Sequence, residues 1–271
     1  MNTDTVERGT KLSSRMTTLS RITLGLIFCL SGINHFFSLL PMPAMTGSTA
    51  AFYDGLRQTG YFFPLLGLVE LAAGAMLVAG RRIPLALAIV APVVLNMAVF
   101  HAVLAPQGLG IAIVAVAATI YLARRNRAAF RGMLAARAPG VSAGVRAIEV
   151  ILGTAFVASG IGGLTGHTPP PSSSSAAAMM NGLAASGYFL PALSAIQVVA
   201  GGMLITRRFV GLALFALAPI VVEIVAYRLF VASAAPRMLV VAAIILVALV
   251  CLAFAHRPMF ASLVRWRAAR A

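Results

Sequence analysis

Apolar stretches of about 20 residues recur along this chain, separated by short polar or basic breaks. A helix of that length crosses the roughly 30 Å of hydrocarbon in a bilayer. No water inside hydrocarbon satisfies backbone N–H and C=O groups, so each stretch must pair its own, which a helix does. Composition agrees. Apolar residues make up 61% of the chain and charged residues 10%, against roughly half and a quarter in soluble domains. The expected fold class is all-α and integral to a membrane.

Eight helices are predicted: Met16–Leu40, Tyr61–Ala79, Ile83–Leu104, Leu109–Ala123, Ala147–Leu164, Tyr188–Thr206, Phe209–Ala232 and Met238–Ala255. The segment from Gly60 to Pro106 realigns without a gap onto Gly187 to Ser233, at an offset of 127 residues. Identical pairs include Gly60/Gly187, Tyr61/Tyr188, Pro64/Pro191, Gly74/Gly201, Met76/Met203, Arg81/Arg208 and Pro92/Pro219. Leu24–Ile33 matches Leu152–Ile161 at an offset of 128, so the first apolar stretch is not read as a cleaved signal. The expectation is two tandem four-helix transmembrane bundles. Residues 16–130 form the first repeat and 146–260 the second, with a basic linker at 131–145. A segment at 1–15 and a basic tail at 261–271 flank them.

The net charge of +15 raises nucleic acid as a partner, but no aromatic-interleaved basic patch supports one. Instead, 18 of the 21 basic residues fall on one side of the eight-helix arrangement; only Arg57, Arg228 and Arg237 do not. The positive-inside rule then puts both termini in the cytoplasm. An even number of helices per repeat makes the duplication parallel. The pairs Arg81–Arg82 and Arg207–Arg208 read as topology anchors, with anionic headgroups or a cytoplasmic partner as the other reading. Asn126–Ala136 is expected to lie along the inner surface as a basic helix, and a stretch around Ala50–Leu56 to lie on the outer one. Both outer loops end in Gly-Leu-x-x-(Thr/Ser)-Gly-Tyr-Phe-x-Pro.

Cys29 and Cys251 sit in separate apolar runs, and no C-x-x-C exists. A membrane thiol oxidoreductase needs a nearby dithiol to relay electrons. Both cysteines read as small buried hydrophobes.

Three ordered motifs resemble one family. They are R-x-x-L-G-x-x-F-x-x-S-G-x-x-H-F from Arg21 to Phe36, G-Y-F-x-P-x-x-G-x-x-E-x-x-x-G from Gly60 to Gly74, and A-P-x-x-x-N-x-x-x-F-H from Ala91 to His101. Together they resemble the DoxX and DoxX-like membrane proteins, with the second repeat a degenerate copy. The resemblance implies a small four-helix bundle in a bacterial inner membrane. It also implies a link to quinone redox chemistry, since the family name comes from a subunit of a thiosulfate:quinone oxidoreductase.

An ionisable residue within a spanning helix costs about 2.5–3.5 kcal/mol on insertion scales, and so is a functional candidate. The first repeat offers Asn34, His35, Glu70, Asn96 and His101. At about 1.5 Å per residue, His35 and Asn96 each lie roughly 21 Å from the inner face, with Glu70 near the midplane. All five are expected to converge as one ligand or proton site. A carboxyl there can hold a proton and a histidine can pass it on. The competing reading is interhelical hydrogen-bond glue. Haem ligation by His35 and His101 has no other support, and no metal site is expected. The second repeat replaces these with Gly162–Gly163, Gln197, Glu223 and Arg228, and Glu223 is expected to pair with Arg228 or Tyr227. Glu149 is read as a surface ion pair with Arg146, and His256 as needing no special role.

The leading expectation is a redox-associated, quinone-linked membrane subunit, working with a partner protein that carries the redox cofactor. The alternative is a non-catalytic scaffold or small-molecule transporter. Whether the chain is itself an enzyme is left open.

Overall fold

The computed structural model describes residues 3–40, 44–231 and 236–264. The tail arginines Arg265, Arg267 and Arg270 lie outside the described residues, as does the expected helix end at Ala232. The helices are α1 Thr3–Phe37, α2 Gly47–Arg57, α3 Phe62–Ala79, α4 Ile83–Val103, α5 Leu109–Arg125 and α6 Arg127–Phe130. They continue as α7 Ala143–Leu164, α8 Ser174–Ala185, α9 Phe189–Thr206, α10 Val210–Phe230, α11 Pro236–Ala255 and α12 Arg257–Phe260. Among the described residues, eight of these are long and apolar enough to cross a membrane: α1, α3, α4, α5, α7, α9, α10 and α11. The protein is therefore a multi-pass helical membrane protein. Large side chains such as Leu68, Leu95, Ile151 and Phe254 are more than half exposed, as lipid-facing residues should be.

The chain divides into two compact units. The first holds residues 1–42, 64–130 and 262–271. Its core is Leu24, Phe28, Leu77, Leu87, Val90 and Leu122 with their neighbours. The second holds residues 43–63 and 131–261, with a core around Phe156, Leu204, Leu214, Leu217, Val221 and Leu252. In the second unit α7, α9, α10 and α11 close into a ring, each helix packed on the next. The segment carrying α2 goes with the second unit. α2 lies against α8, with its apolar residues Phe52 and Leu56 buried. Their crossing is built on Gly55 and Gly182. A Cβ on Gly55 would sit 2.8 Å from the Ala178 carbonyl oxygen, and one on Gly182 would sit 2.6 Å from that of Ala51.

The shared loop-end motif has a local cause. Thr59 Oγ1 accepts from the Phe62 N–H (3.2 Å), and Ser186 Oγ accepts from the Phe189 N–H (3.1 Å). Each hydroxyl thereby caps the helix that follows. Gly60 and Gly187 take left-handed backbone, φ +73° and +71°, which glycine adopts without steric cost. Two local expectations fail. α1 begins well before Met16, and the linker is helical only over Arg127–Phe130 rather than to Ala136.

Candidate functional site

In the first unit the close approach of α1 and α3 sets the geometry. A Cβ on Gly32 would lie 2.8 Å from the Gly67 carbonyl oxygen, and one on Gly74 would lie 2.9 Å from that of Gly25. Glycines seven residues apart on each of two antiparallel helices thus bring the backbones into contact. Side chains lean toward the N-terminus of their own helix. On antiparallel helices, His35 and Glu70 therefore lean toward one another across roughly 9 Å of axial offset. His35 Nε2 comes within 3.4 Å of Glu70 Oε2. Glu70 is 4% exposed, and among the described residues its Oε2 has no hydrogen-bond donor. The pair lies inside two spanning helices.

The other first-unit candidates go elsewhere. Asn34 Oδ1 accepts from the Leu40 N–H at 2.7 Å, finishing the C-terminal end of α1. His101 Nδ1 lies 2.9 Å from the Ala105 carbonyl oxygen. Its ring packs so closely on Gly108 that a Cβ there would fall 2.0 Å from the imidazole. Both residues satisfy backbone groups at helix ends. Asn96 is half-buried on α4, one turn beyond Pro92. Only His35 and Glu70, of the five, are brought together by a described contact.

In the second unit Glu223 takes its hydrogen bond from neither Tyr227 nor Arg228. Tyr61 Oη donates to Glu223 Oε1 at 2.5 Å, and the Tyr61 ring stacks on Phe230 with centroids 5.4 Å apart. The Arg228 guanidinium instead lies over the Tyr227 ring, 5.4 Å from its centroid. Burial, then the bond to Glu223, pushes the Tyr61 phenol above the ordinary tyrosine range. Burial raises Tyr188 to about 12. Gln197 is buried on α9 beside the crossing with α7.

The largest departure from expectation is Glu149. It is fully buried, not at the surface. His256 Nε2 lies 2.8 Å from its Oε1, and Arg146 and Arg207 each lie 3.2 Å from its Oε2. His256 is fully buried as well. The physical reason is a swap of roles. In the first unit Arg21 donates to the carbonyls of Leu77 (2.6 Å) and Val78 (2.8 Å) at the end of α3. Its guanidinium fills the space where Gly80, at φ +67°, has no side chain. In the second unit Arg146 makes the matching bonds to Leu204 and Ile205. Glu149 stands at the position that aligns with Arg21, and Arg207 at the one that aligns with Gly80. Arg207 keeps the left-handed backbone, φ +57°, at a cost of about 1–2 kcal/mol for a residue with a Cβ. From that position its Nε reaches to 3.2 Å from Glu149 Oε2.

No family model, curated protein or solved structure matches the chain.

The candidate site rests on its geometry. His35, half-buried, and Glu70, buried, form an acid–base pair across two facing helices of an apolar bundle. Glu149, closed in by two arginines and a histidine, is suited to holding helix ends together. Among the described residues no group of three or more His, Cys, Asp or Glu could hold a metal ion.

Proposed function

We propose that the chain is a DoxX-like inner-membrane subunit, tandemly duplicated, with both termini cytoplasmic, that serves quinone-linked redox chemistry. His35 and Glu70 are its proton-bearing pair. The observation that carries this reading is the burial of Glu70 within 3.4 Å of His35 on two spanning helices. Reduction of a quinone takes up protons, which an apolar pocket must deliver from side chains of this kind. The redox cofactor belongs to a partner protein, since the chain carries no motif for one. Matching glycine crossings support the duplication. Gly25 and Gly74 meet in the first unit as Gly153 and Gly201 do in the second.

The test is to extract purified protein for bound quinone and to titrate a short-chain quinone by fluorescence quenching. Wild type is expected to bind, and Glu70→Gln to bind at least about tenfold more weakly with an unchanged melting temperature. A lower melting temperature with unchanged quinone binding would show that the pair is interhelical glue instead.

A further inference from the structure

Arg207, which faces Glu149, also lines a cavity. The cavity, of about 410 Å³, is lined by Arg137, Ala138, Thr206, Arg207 and Arg208. That volume falls within the range of ligand pockets. The linker segment that forms one wall is held in place. Phe209 N–H donates to the Ala136 carbonyl at 3.2 Å and Ala138 N–H to that of Arg207 at 3.4 Å. Arg137 and Arg208 form an antiparallel bridge. The Arg207 guanidinium also donates to the Pro139 carbonyl.

The cavity has surplus positive charge. Glu149 is one carboxylate shared by Arg146 and Arg207. Arg137 and Arg208 add two more cations. The second unit has only two other carboxylates, Asp54 and Glu223. Glu223 lies 15 residues beyond Arg208 along α10, about 22 Å away by helical rise. Asp54 lies on α2, whose Phe52 ring meets Tyr188 and Phe189 at the opposite end of α9. Neither can neutralise the cavity.

Depth narrows the ligand. The spans of α9 and α10 end at Thr206 and start at Val210, so the cavity lies at the edge of the hydrocarbon, where phosphates of lipid headgroups sit. Guanidinium forks match phosphate oxygens two at a time. Arg207, already wedged between Glu149 and the cavity, would form its inner wall.

We infer that the Arg137–Arg207–Arg208 cavity binds a phosphate group, as the headgroup of an anionic phospholipid or as free phosphate. The site is independent of the His35–Glu70 pair, so its test does not depend on that reading. Full-length protein in detergent is titrated separately with phosphatidylglycerol, phosphatidylcholine and inorganic phosphate, and binding is read by native mass spectrometry. The variant is R137Q/R208Q, which changes two exposed side chains and leaves Arg207 with Glu149. Retention of phosphatidylglycerol over phosphatidylcholine, weakened at least about tenfold in the variant, assigns a lipid. Arginine-dependent binding of inorganic phosphate that displaces phosphatidylglycerol assigns free phosphate. The charge-keeping R137K/R208K variant should weaken binding too, because it lacks the fork, and it decides the matter if R137Q/R208Q melts early. Equal retention of both lipids with no phosphate binding overturns the inference. So does binding in the folded variants equal to wild type.

Discussion

At the scale of single residues, the chain uses its few charges inside the bundles in two ways. Glu70 faces His35 at 3.4 Å with an oxygen that, among the described residues, has no hydrogen-bond donor. Glu149 is enclosed by three cationic or basic groups, an arrangement that spends the carboxylate on structure. Removing one member of a buried ion cluster strands its partners and costs about 3–5 kcal/mol. Glu149→Gln is therefore expected to lower the melting temperature in detergent sharply, while His35→Gln leaves it nearly unchanged. A Glu149→Gln protein that melts like wild type would mean the cluster contributes nothing. Glu70 was legible in the sequence, because a lone carboxyl amid apolar residues stands out. The burial of Glu149 was not. The i, i+3 spacing from Arg146 suggests a surface pair, and His256 lies 107 residues from Glu149. Aligning Glu149 with Arg21, and Arg207 with Gly80, shows a reversed charge at an anchor position. That is the one clue the sequence offers.

At the scale of elements, backbone contact at glycine decides which helices pair. Gly201 and Gly202 are neighbours on α9 with opposite surroundings. A Cβ on Gly201 would lie 2.6 Å from the Gly153 carbonyl oxygen, whereas one on Gly202 meets nothing within 4 Å. Gly201→Leu is thus expected to cost about 1–3 kcal/mol through overpacking. Gly202→Leu should be neutral or slightly stabilising, since glycine is a weak helix former. Equal effects in thermal melts would refute the crossing. The spans themselves were readable to within a few residues, apart from the early start of α1, because length and apolarity carry that information. The partner of α2 was not. An apolar face on a short helix shows that something covers it, and nothing in its own residues says whether lipid or another helix does.

At the scale of the whole molecule, the proposed orientation, with both termini in the cytoplasm, rests on the positive-inside rule and makes a direct prediction. Single cysteines at Ser48 and Ser175, in a variant lacking Cys29 and Cys251, should react with an impermeant maleimide from outside intact cells. A cysteine at Ala143 should react only after permeabilisation. The reverse pattern would invert the topology. The discontinuity of the second unit also bears on synthesis. α2 leaves the ribosome on the order of a hundred residues before α8, the helix it packs against. At 5–20 residues per second, its apolar face waits on the order of ten seconds for that partner. During that interval the nascent chain must be shielded by lipid or by insertion machinery, so the order of translation makes α2 the segment most exposed to misassembly.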